Sequence, residues 1–205
     1  MRDRKFQILF FVFILLFALT VYADDREPCP ETGTSFDELI KEAYDCHGKF
    51  LEADASVGHG VIVLKELFAT VLEKTEEEKE EIMAMTDSSF ITLIADEEVQ
   101  KEIKEKLNEN SEATLDTLKT QLDESLLELR IANDAALELS KKIPEAIKKL
   151  PSEFKGLNKR KIPKVKAALE KVKEWMDDVI AKASVDVEKV NAIVGVVKFL
   201  IGGEE

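Results

Sequence analysis

Leu115, Leu122, Leu129, Ala136 and Ile143 recur every seven residues, and Leu118, Ser125, Ala132 and Leu139 fill the alternate positions between them. This spacing gathers small and apolar side chains on one face of a helix and runs unbroken from Ser111 to Ile143. Neither Gly nor Pro interrupts it before Pro144, whose missing N–H and bulky ring predict a helix end there. At about 1.5 Å per residue such a helix is on the order of 50 Å long, more than a compact globule accommodates. The expected fold is therefore all-α: an elongated multi-helix bundle organised around one long central amphipathic helix. In the second half of that helix Leu126, Leu127, Ile131 and Leu137 add apolar surface off the seam, which predicts neighbours on more than one side.

The remainder of the chain is consistent with helices alone. Of 205 residues, 45% are hydrophobic and 35% charged, with 8 Gly and 5 Pro, and no β-rich runs bounded by turn clusters occur. Residues 1–23 read as a signal peptide: Arg2, Arg4 and Lys5 precede the apolar run Phe6–Val21, and Val21-Tyr22-Ala23 offers small residues at the two positions a signal peptidase reads. Cleavage after Ala23 and a secreted, extracellular location follow; the competing reading is an uncleaved anchor. No other stretch is long enough to span a bilayer, since the apolar tail Ala192–Ile201 is interrupted by Lys198.

Charge excludes one class of partner. The whole chain carries −13, and loss of a leader bearing +2 leaves −15, which argues against nucleic acid. The charge is uneven: residues 24–139 hold 31 acidic and 11 basic side chains, whereas residues 140–175 hold 12 basic and 4 acidic. Basic helices lying beside acidic ones explain this pattern most simply. The sharper alternative is a basic surface at Lys159, Arg160 and Lys161 for an anionic lipid or polysaccharide.

Two cysteines in an exported chain predict one disulfide, Cys29–Cys46, closing a loop worth about 3 kcal/mol and folding an irregular arm (residues 24–34) back on the first helix. Residues 35–205 then form a single helical bundle domain. Ser35 and Glu38 form a capping box opening a helix to about Glu52, and Gly58 and Gly60 loosen the start of the next, which runs to Glu73. Thr75 and Glu78 form a second capping box. Phe90–Ala95 is helix or turn, a helix follows to Asn108, and Asn108–Ser111 reads as a turn in preference to a capped restart. Beyond the central helix, Pro144, Pro151, Gly156 and Pro163 predict a broken connection. A helix through Trp175 to Ala183 follows, and then a last one capped by Ser184 and stopped by Gly202.

Catalytic chemistry finds no support. The chain has no Gly-x-Ser-x-Gly, His-Glu-x-x-His, phosphate-loop or Cys-x-x-Cys motif, and no calcium-loop spacing. Its two histidines, His47 and His59, have no motif partner, so no catalytic residue, metal or cofactor is expected. Two non-enzymatic readings remain. One is interaction with a protein partner or with a second copy through the bundle surface. The other is a carrier or surface binder of lipids or other apolar ligands, with Trp175, Ile193, Val194, Val197 and Leu200 as candidate contacts.

Overall fold

The computed structural model describes residues 27–202, so the leader expected at residues 1–23 lies outside them. The fold is an all-α multi-helix bundle, and no strand occurs among the described residues. Six α-helices follow in order: α1 (Asp37–Val71), α2 (Glu76–Ala84), α3 (Asp87–Ile94), α4 (Glu97–Lys106), α5 (Glu109–Glu153) and α6 (Ile162–Leu200). A 3-10 helix, Gly156–Lys161, joins α5 to α6. Among the described residues no helix is long and apolar enough to cross a membrane.

The predicted spine exists and is longer than its periodicity indicated. Every seam position from Leu115 to Ile143 is at most 5% exposed. The helix does not stop at Pro144, however; it carries Pro144 and Pro151 inside it and reaches Glu153. Each proline removes one i→i−4 hydrogen bond, at a cost of about 3 kcal/mol. Burial offsets that cost, because Ile143, Ala146 and Leu150 continue the inward stripe with at most 7% exposure. The expected broken connection thus shrinks to Phe154–Lys161, and Pro163 sits in the first turn of α6, where its lost N–H has no helical partner to miss.

Three other boundaries differ from the sequence pattern. The chain stays helical through Gly58 and Gly60, making one helix of residues expected to form two. A Cβ at Gly60 would come within 3.1 Å of Leu122 and 3.2 Å of Leu118, so glycine there admits α5 closely against α1; at Gly58 the space is open. Asn108 caps a restart and not a turn, its Oδ1 accepting from the amides of Asn110 and Ser111 at 3.1 Å. Ser184 does not begin a new helix, because α6 runs through it to Leu200 and ends at Gly202, whose φ is +75°.

Helix starts show how local sequence sets these boundaries. Thr75 and Glu78 make the expected reciprocal capping box. Ser35 does not make the other one. The start of α1 is held by Asp37, whose carboxylate accepts from the amides of Thr32, Gly33 and Thr34 and from the Thr32 hydroxyl. Its C-terminus turns through Glu73 at φ +53°, and the Lys74 amide donates back to the Ala69 carbonyl at 2.9 Å.

Contacts gather into two compact units. Among the described residues, the first comprises 27–52 and Asp134–Ile180. Its core is Ile40, Phe50, Leu139, Ile143, Leu150 and Leu169, with Phe36 against Phe154 at 6.2 Å between ring centroids. The second comprises Ala53–Asn133 and the chain from Ala181 onward. There Phe90 of α3 meets the Phe68 ring of α1 edge-on at 5.7 Å, and Leu115, Leu118, Leu122 and Leu129 of α5 are fully buried.

Candidate functional site

The residues singled out by sequence fall into different environments. Trp175, on α6 in the first unit, is half-buried between side chains of α1. The His47 imidazole stacks on it in parallel, 5.3 Å between centroids and 2° from coplanar, and Tyr44 leans on it at 5.8 Å. The Lys171 ammonium lies 5.6 Å from the indole centroid and also pairs with Glu27 of the arm. The tryptophan is a junction of α1, α6 and the arm, with its polar neighbours already engaged.

The other four candidate apolar contacts are core residues. Ile193 and Val197 have no exposed surface, and Val194 and Leu200 are at most 5% exposed. They face inward in the second unit, because the stripe they belong to continues the buried face of α6 and is not an outer surface. With Leu64, Phe68, Ile94 and Ile103, Leu200 lines a hollow of about 10 Å³. That is room for about one water molecule, so an acyl chain does not fit without helix movement.

No disulfide joins Cys29 and Cys46, contrary to expectation. Cys46 points into the packed side of α1, where burial, with the Glu42 charge adding to it, pushes its thiol up to about 11. Cys29 lies on the arm and lines an open hollow of about 430 Å³ with Pro28, Pro30, Ala168, Lys164 and Lys171. The arm follows α6 here, lining that hollow with Lys164, Ala168 and Lys171, and neither thiol is in a disulfide. Lys159, Arg160 and Lys161 are all exposed on the 3-10 helix, with the Lys161 Nζ 3.4 Å from the Gly33 carbonyl.

A cluster that sequence reasoning missed lies in the second unit. Lys65 of α1 is only 5% exposed; its ammonium donates to the Met85 carbonyl at 2.5 Å and lies 3.8 Å from Asp87. The other Asp87 oxygen is 3.4 Å from Lys189 of α6, which also meets the nearly buried Asp186 at 3.2 Å. Asp54 of α1 adjoins Asp186, and burial together with that neighbouring charge holds its carboxyl above the usual range. Burial alone would lower the Lys189 ammonium, but Asp186 and Asp87 outweigh it and raise it. From Lys65 through Asp87 and Lys189 to Asp186 the charges alternate in sign across α1, α3 and α6, and Asp54 then sets a second carboxylate beside Asp186. Lysines and aspartates on amphipathic helices give no periodic signal that separates such a network from a solvated face.

Leu127 and Ile131, one turn apart on α5 in the second unit, remain 59% and 46% exposed. They do not gain the extra neighbours their apolar character suggested, and neither does Leu137, at 39% exposed in the first unit. The His59 Nε2 is buried without a hydrogen-bond partner among the described residues. No group of three or more His, Cys, Asp or Glu side chains suited to a metal ion occurs among the described residues. No protein-family model, no curated protein and no solved structure matches the chain.

Proposed function

We propose that the protein is an exported, non-enzymatic helical protein that acts by binding another protein through the outer face of α5. One observation carries this reading: Leu127 and Ile131 stand in solvent on a helix whose inner face is fully packed. A helix that already buries its seam gains nothing internal from two more large apolar side chains, and exposed apolar pairs of this kind suit a partner surface. Glu124, Glu128 and Arg130, exposed beside them on the same helix, provide a polar rim. Export rests on the charged and apolar pattern of residues 1–23.

The alternative, a carrier of lipids or other apolar ligands, rests on the apolar hollow between α1, α3, α4 and α6. Its volume of about 10 Å³ favours it less than the surface reading. Native mass spectrometry separates the two. Protein free of bound lipid, together with a photo-crosslinking residue at position 127 or 131 that yields one discrete protein adduct in extracellular fluid of the source, supports the interaction reading. A stoichiometric fatty ligand that co-purifies, with no adduct formed, replaces it with the carrier.

A further inference from the structure

Outside residues 148–166, at least nine of the sixteen described lysines pair with a carboxylate. Lys79, Lys106, Lys119, Lys142 and Lys173 each lie against a carboxylate three or four residues away on the same helix, and Lys74, just before α2, lies against Glu78. Residues 148–166, in the first unit, break this habit. They hold eight cations and one acidic residue, and all eight cations are exposed. Lys166 pairs with Glu170 at 3.5 Å, and Lys161 donates to a backbone carbonyl. Lys148, Lys149, Lys155, Lys159, Arg160 and Lys164 make no ion pair with any described residue.

Helix stability does not account for this concentration. Helices α1 to α5 each open on acidic residues, which complement the positive end of the helix dipole. The first turn of α6 has none, and the turn before it is Lys159, Arg160 and Lys161. Gathering cations at that end is locally unfavourable, and an arriving polyanion would relieve it.

We propose that this surface docks a linear sulfated polysaccharide. The cations run along a single connection, from the last turns of α5 through the 3-10 helix into α6, as a strip and not as a broad plane. The arm that Lys161 touches carries the exposed Glu31, and Glu38 opens α1 just beyond it, so carboxylates border the strip. A thread of sulfates follows such a strip while staying off the acidic faces, whose repulsion is screened beyond about 8 Å at physiological salt. A bilayer fits less well. Among the described residues, none of the large exposed apolar side chains lies in residues 148–166, and stable membrane attachment needs an apolar anchor as well as a basic patch.

The test is calorimetric titration of the full chain with a size-defined heparin oligosaccharide at several salt concentrations. Binding at about 50 mM salt is expected, weakening steeply as salt rises because counterions are released. The variant K159A/R160A/K161A should bind at least about tenfold more weakly, with a salt slope shallower by about two to three. The variant K79A/K106A/K119A loses as much positive charge from the second unit and should stay within about twofold of the parent. Circular dichroism establishes that both variants keep their helices. Three results would overturn the proposal: no binding at low salt, equal loss in the two variants, or tighter binding to phosphatidylserine vesicles or polyglutamate than to the oligosaccharide.

Discussion

The two units draw on the same three long helices yet handle charge in opposite ways. Among described residues the first unit is almost neutral, with 15 acidic and 14 basic side chains in residues 27–52 and 134–180. The second is strongly acidic, with 22 acidic and 11 basic side chains in residues 53–133 and 181–202. Even so, it is the acidic unit that takes charge inside: Lys65 and Asp186 are both buried there, whereas the first unit buries no charged residue among those described. Its short helix α3 buries only Phe90 and Ile94, too little apolar surface to dock firmly. Asp87, set between Lys65 and Lys189, supplies the rest. A unit with large apolar faces keeps its charges in water; one assembled from short pieces uses ionic ties.

The largest test of this contrast lies in the seam that both units share. Leu122→Asp in the second unit and Ile143→Asp in the first should each cost about 4 kcal/mol or more, by stranding a carboxylate in a packed core. Chemical denaturation measures both, and a Leu122→Asp cost below about 1 kcal/mol would mean the second core is loose. Next comes the ionic tie. Asp87→Ala should cost about 1–3 kcal/mol, because it leaves the nearly buried Lys65 without its counter-charge. Glu42→Ala, which breaks the exposed Glu42–Lys142 pair of the first unit, should change stability by less than about 0.5 kcal/mol. Equal effects would erase the distinction.

Packing of α1 against α5 gives a comparison within the second unit. Gly60→Val should destabilise by about 1–3 kcal/mol, since its side chain meets Leu118 and Leu122. Gly58→Ala, in open space, should stabilise by up to about 1 kcal/mol through helix propensity. Thermal unfolding of the two variants reads the difference in sign.

The smallest effects are in pH dependence, and here the units should respond with opposite sign. Burial pushes the Asp37 carboxyl up, but the Thr32 hydroxyl and the amides of Thr32, Thr34 and Gly33 outweigh it and hold it below the ordinary range. Its contribution is present above the unfolded value of about 3.9 and is lost as pH falls through the lower folded one. Asp54 is raised, so its contribution is present below about 3.9 and is lost as pH rises through the higher folded value. Asp37→Ala should therefore weaken the protein at pH 7 by about 1 kcal/mol and have little effect near pH 2. Asp54→Asn should instead relieve the crowding of carboxylates at neutral pH. Urea titrations across that range, with m-values held constant, show whether the signs separate.

Periodicity revealed the seam, because burial every three or four residues leaves a mark in composition that neither local propensity nor charge can imitate. Interruptions were less legible. Pro144, Pro151, Gly58 and Gly60 carry local signals for breaking a helix, and packing overrode each: Ile143 and Leu150 hold α5 together across its prolines, and the space that Leu118 and Leu122 fill requires Gly60. Caps were legible where the side chain reaches forward to its own helix, as Thr75 does, and not where Asp37 reaches back to the preceding turn. Among candidate sites, the exposed basic run was recognisable because it is contiguous. The Lys65–Asp87–Lys189–Asp186 network joins residues far apart in sequence, and nothing at any one position marks it.

Trp175 is the only tryptophan in the chain, and neither Trp nor Tyr occurs in residues 53–133 or 181–205. Intrinsic fluorescence is thus a spectroscopic window on the first unit alone and blind to the second. Far-ultraviolet dichroism sums over every helix. Superimposing the two melting curves would reveal whether the chain loses its order in a single event or piecemeal, without any label being introduced.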